Sequence, residues 1–131
     1  MESSTLILGA MDSEIDYLVS KLENCKKGNL DNYSVYEGKV GQKHIIILKT
    51  DIGIINAAIA TTLAIQKYNP KNIINIGTAG GYGNNIHKND IIIGKYCMNI
   101  MSAKTPKAEI GEGSNSAKWE YVTFQKGEDK K

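Results

Sequence analysis

Three short stretches of this 131-residue chain carry side chains whose types and spacing suit chemistry. In Gly9-Ala10-Met11-Asp12-Ser13-Glu14 an acid stands just past an apolar run, with small residues before it. A carboxylate placed there can act as a general base on water if its surroundings remove part of its hydration. The alternative is a surface acid that caps a helix, and Asp12, nearer the helix edge, is the better candidate for that work. In Lys49-Thr50-Asp51-Ile52-Gly53 polar residues and a glycine join a strand to a helix. In Gly77-Thr78-Ala79-Gly80-Gly81 glycines follow a β-branched run, where they permit positive φ angles and let a ligand approach the backbone. The plain reading of that third stretch is a tight turn between two core strands. Neither glycine stretch is a GxGxxG or a GxxxxGK[ST], so dinucleotide and P-loop sites are weakly supported. His44 and His87 have no partners at metal spacing and read as structural or surface residues.

The elements that position these stretches follow from periodicity. Thr5–Ala10 reads as a strand apolar on both faces. From Met11 to Asn24 the residues Ile15, Leu18, Val19 and Leu22 form one helical stripe, closed by Lys26, Lys27 and Gly28. Tyr33–Val40 and Lys43–Lys49 read as a hairpin around Gly41-Gln42. Gly53 to Tyr68 is a helix apolar almost all round. It has a large-residue face (Ile55, Ala58, Ile59, Thr62, Leu63) and a small-residue face (Ala57, Ala60, Ala64), both expected to be covered. Asn69-Pro70-Lys71 ends it. Ile73–Ile76 and Ile91–Ile93 read as buried strands, 98–117 as a long loop, Trp119–Gln125 as a strand and 126–131 as a solvated tail. The order β-α-β-β-α-β-β-loop-β predicts one α/β domain over 1–131: a layered fold with a mixed, largely buried sheet flanked by helices. Each of the three stretches then falls at a strand end on one edge of the sheet, where small molecules bind in such folds.

Composition narrows the classes. The formal net charge is +2 and the charges are scattered, which points to neither nucleic acid nor membrane as partner. All 16 basic residues are lysine, so the usual bidentate clamp for phosphate is missing. Cys25 and Cys97 lie far apart without a CxxC, as expected of reduced thiols in a cytoplasmic protein. No apolar run approaches the ~20 residues that span a bilayer, and the N-terminus does not read as a signal peptide. No metal or cofactor is called for.

The segments LILGAMDSEI, LKTDIGIINAAIATTLAI and NIINIGTAGGYGNNIHKNDIIIG together resemble the N-terminal half of the nucleoside phosphorylase superfamily. The most similar branch is the 5′-methylthioadenosine/S-adenosylhomocysteine nucleosidases. The likeness runs from about Thr5 to Tyr96, and its carriers are GAM-x-x-E, GIG-x-x-x-A and NIGTAGG.

The resemblance implies cleavage of a purine nucleoside at its N-glycosidic bond through an oxocarbenium-like transition state, with no cofactor. It assigns Glu14 to the glutamate that activates the attacking water. Ala10 and Met11 fall on the positions lining ribose and thioether, and Ile52 on an apolar position near the sugar. Thr78, Ala79 and Gly80 fall on the small-residue loop beside ribose and purine. It also implies a homodimer. Glu14 and the absence of arginine favour hydrolysis over phosphorolysis. The Met-Glu strand and Ser-Asp segment of the family pattern have no counterpart between Trp119 and Lys131, so the fold expected is truncated. A non-catalytic nucleoside-binding or dimerising fragment therefore stands as a further alternative, beside a phosphorolytic enzyme.

Overall fold

The run Ile45-Ile46-Ile47-Leu48 is buried at every position, so the strand that holds it must be covered on both faces. The computed structural model describes residues 4–81, 85–95, 97–104 and 120–124. They belong to two compact units, Met1–Gly80 and Gly81–Lys131.

The first unit contains β1 (Ser4–Gly9), α1 (Asp12–Val19), β2 (Glu23–Leu30), β3 (Tyr33–Val40), β4 (Lys43–Lys49), α2 (Ile54–Tyr68) and β5 (Asn72–Asn75). Its five strands lie in the order β2-β3-β4-β1-β5. β1 runs parallel to both β4 and β5, while β2, β3 and β4 form an antiparallel meander. The sheet is therefore mixed, as the sequence predicts. Alternation along the strands splits the core in two. Leu6, Leu8, Val35, Ile46 and Leu48 point to one face with Tyr33, where Ala60 and Ala64 of α2 cover them. Ile45 and Ile47 point to the other, with Ile7 and Tyr36, under Ile15, Leu18 and Val19 of α1. The β3–β4 hairpin has the expected two-residue turn, with Gly41 at φ 59° and Val40 opposite Lys43.

Several expectations need correction. The first helix ends at Val19 rather than Asn24, and Lys26, Lys27 and Gly28 lie in β2 rather than closing a helix. Leu22 leaves the helical stripe to join the cluster under α1. β2 is an exposed edge strand, bulged between Glu23 and Lys26 where Asn24 takes φ 53°. With hardly any apolar residue to alternate, its sequence carries no strand period. β5 is likewise an edge: Ile73 and Ile74 are 45% and 47% exposed, not buried.

In the second unit the expected strand Ile91–Ile93 is irregular, with Ile91 and Ile93 each 92% exposed. A strand needs a neighbour for its N–H and C=O groups. Among the described residues of this unit the one ladder joins β6 (Cys97–Lys104) to β7 (Glu120–Phe124). β6 also replaces the first part of the loop expected over 98–117, because the cross-strand partner it needs is supplied by β7. β7 falls within the strand expected at Trp119–Gln125. The rest of the expected loop and the tail at 126–131 lie outside the described residues. Among the described residues no helix is long and apolar enough to cross a membrane.

Candidate functional site

Three backbone segments meet at the carboxyl end of β1. Thr50 N–H donates to the Gly9 carbonyl at 2.9 Å, joining the end of β4 to that of β1. Ile76 N–H donates to the Leu8 carbonyl at 2.9 Å and brings in the chain beyond β5. Gly9 is the hinge on which α1 leaves the sheet. A Cβ built there would stand 2.5 Å from Cγ2 of the fully buried Ile15, so only glycine lets the helix pack this close.

That close packing delivers Glu14 to the strand end. Met11 is the N-cap of α1, and Glu14 occupies the third helical position. Its Oε2 accepts hydrogen bonds from Ala10 N–H at 2.7 Å and Met11 N–H at 3.1 Å. Glu14 thus performs the reach-back half of a capping box, the work the sequence favours Asp12 for. Capping occupies only one oxygen. Among the described residues Oε1 takes no hydrogen bond, and it faces Gly77, where a built Cβ would come within 3.1 Å of it. Gly77 therefore leaves the open oxygen room for a small molecule. The arrangement suits a base: one oxygen fixed by two amides, the other available to take a proton.

Asp12 makes a different contact. Lys49 Nζ lies 3.1 Å from Oδ1 of Asp12 and donates to its Oδ2 at 3.1 Å, and it lies 3.9 Å from Oδ1 of Asp51. The hydrogen bond to Asp12 is the main cause that holds the Lys49 ammonium above the 10.5 of an ordinary lysine; partial burial opposes it. Asp51 takes φ 59°, and Gly53, at φ 108°, caps α2. Between them Ile52 is 71% exposed, and its carbonyl accepts Asn56 Nδ2 at 2.9 Å. Asn56 in turn accepts the Tyr33 hydroxyl at 3.2 Å, which ties this connection to β3.

Ala10, Met11 and Glu14 are thus joined by hydrogen bonds, and Gly77 stands beside the Glu14 carboxylate. Ile52 is linked to the group by two routes, Thr50, which bonds the Gly9 carbonyl, and the Asp51–Lys49–Asp12 ion pairs. Thr78, Ala79 and Gly80 follow Gly77 as exposed residues. Lys49 lies in the second of the three stretches, but the sequence assigns its side chain no role. Its signal in the sequence was a lysine at a strand end with one acid, Asp51, two positions on, since Asp12 lies 37 positions away. Among the described residues no group of three or more His, Cys, Asp and Glu is placed to hold a metal. His87 lies at the surface, its Nδ1 3.6 Å from Asp90.

Known proteins resemble this chain in sequence and in fold. A 5′-methylthioadenosine/S-adenosylhomocysteine nucleosidase of Halalkalibacterium halodurans is 46% identical over 87 residues, covering 66% of this chain and 38% of the relative. The crystal structure of such a nucleosidase from Neisseria meningitidis, in complex with methylthio-immucillin-A, superposes with a TM-score of 0.62 at 34% identity. It covers 65% of this chain and 37% of its own. One from Colwellia psychrerythraea, in complex with adenine, gives 0.59 at 29% identity, covering 63% and 34%. This chain therefore spans well under half the length of the proteins it matches. The family model for the phosphorylase superfamily matches residues 4–127, nearly the whole chain. With that match, and with a mixed sheet that superposes on nucleosidase structures, the chain belongs to the phosphorylase superfamily.

Proposed function

We propose that this chain forms the water-activating side of a site that hydrolyses the N-glycosidic bond of purine nucleosides of the 5′-methylthioadenosine/S-adenosylhomocysteine type. The observation that carries the proposal is the Glu14 carboxylate, with Oε2 held by the Ala10 and Met11 amides and Oε1 open beside Gly77. Oε1 takes a proton from water as the water oxygen attacks the anomeric carbon. The bond from that carbon to the purine nitrogen breaks, and its electron pair leaves with the base, which needs a proton from an acid. Ala10, Met11 and Ile52 line the sugar side in this reading, and Thr78, Ala79 and Gly80 run beside ribose and purine. Hydrolysis is preferred to phosphorolysis because the chain has no arginine to clamp phosphate. We also infer a homodimer, supported by the exposed apolar stripe of Ile52, Ile55 and Ile59.

The test is release of adenine from 5′-methylthioadenosine and S-adenosylhomocysteine, with and without phosphate. Release without phosphate is expected, falling about 10²–10⁴-fold in Glu14→Gln. Release that requires phosphate would move the assignment to phosphorolysis. Binding of an adenosine analogue without release would leave a nucleoside-binding chain.

A further inference from the structure

α1 is only eight residues long and buries Ile15 alone, so its own hydrogen bonds do little to fix the direction of its first turn. Yet Glu14 rides on that turn, and a small swing would carry its carboxylate away from the strand end. Two backbone bonds hold β1 to its neighbours there, but neither reaches the helix. Glu14's own bonds to the Ala10 and Met11 amides tie the turn to the chain just before it, and the polar tie from β4 is Lys49. It projects from the end of β4, opposite Gly9 in the parallel ladder, and engages Asp12 in the same turn as Glu14. Asp51, at 3.9 Å, holds it from the β4–α2 connection that carries Ile52.

We propose that Lys49 is a positioning residue for Glu14, clamping the first turn of α1 to the β4–α2 connection through Asp12 and Asp51. The inference builds on the role proposed for Glu14, but its test does not need that role. The Asp12 side of the ion pair is 62% exposed, against 24% for Lys49, so its effect on global stability is small and its effect on local geometry is the one to measure.

The readout is amide hydrogen exchange at Ala10 and Met11, followed by NMR in the protein without nucleoside. Ile47 of β4 serves as the control. In Lys49→Met the Ala10 amide should exchange about fivefold faster, the scale an exposed ion pair supports, with Ile47 unchanged. Lys49→Arg should restore protection. Asp12→Asn, which leaves β4 intact, should reproduce the Lys49→Met result, and Asp51→Asn should give a smaller rise. Unchanged exchange at Ala10 in Lys49→Met and Asp12→Asn would overturn the proposal. So would a rise shared equally by Ala10 and Ile47, which marks a merely structural bond. Because no nucleoside is present, failure here is separate from failure of adenine release.

Discussion

Glu14 sits between two glycines that are indispensable for different reasons. Gly9 lets the backbone approach Ile15, and a methyl there would push against a side chain with no room to yield. Gly9→Ala should therefore cost about 1–3 kcal/mol, the usual range for overpacking a well-filled site, read as a lower denaturant midpoint. Gly77 faces the open Oε1 at a half-open strand end. Gly77→Ala should leave the midpoint nearly unchanged while lowering adenine release, since the methyl would stand where water must approach. Equal effects of the two substitutions on stability would contradict this division. Glu14 itself was legible in the sequence because an apolar run, a glycine and an acid follow one another between Leu6 and Glu14. Its two amide partners are adjacent in sequence as well. The Lys49 contact was not legible, because it exists only once β1 and β4 pair in register.

At the level of elements, α2 shows the difference between a pattern and its use. The sequence has two apolar faces on this helix, and both were expected to be covered. The sheet takes the small face: Ala60 and Ala64 are fully buried, whereas Ile55 is 75% exposed and Ile59 48%. Small residues bring the helix axis close to Leu6, Leu8, Ile46 and Leu48. Ala64→Leu should thus destabilise by about 1–3 kcal/mol through overpacking. Ile55→Ser should change stability little, and in sedimentation it should shift a dimer towards monomer if the exposed stripe is the interface. No change in sedimentation would remove that stripe as the contact. β3, β4 and α2 were readable because Gly41 marks the hairpin turn, β4 is a continuous apolar run and Asn69-Pro70 ends a long apolar helix. β2 was not, since a polar edge strand satisfies the sheet through backbone bonds that leave no mark on side-chain pattern.

For the whole molecule, two pairs link separate elements by protons that leave only at high pH. Hydrogen bonding to Asp12 raises Lys49 above 10.5, and burial, with help from Glu37 and against the pull of Lys67, raises Tyr68 above 10.0. Tyr68 donates its hydroxyl hydrogen to Glu37 at 2.9 Å, joining α2 to β3. Both groups keep their protons longer when folded, so both contributions are fully present below the ordinary values and fade as pH rises through the folded ones. Stability from these two ties should be flat from neutrality to about pH 10 and decline above it, seen as a falling thermal midpoint. A decline that begins well below pH 10 would point to other groups.

The sheet order has a consequence in time as well. β2, β3 and β4 pair through short turns between neighbours in sequence, whereas β1 must find β4 and β5 across long intervening segments. Local pairings close first and distant ones later, because the longer loop costs more entropy before any contact repays it. The meander should therefore exist before the strand that carries Gly9 docks beside it. Pulse-labelled exchange during refolding should find Ile46 and Ile47 protected ahead of Ala10. The carboxylate's cradle is, on this account, the last part of the first unit to be assembled.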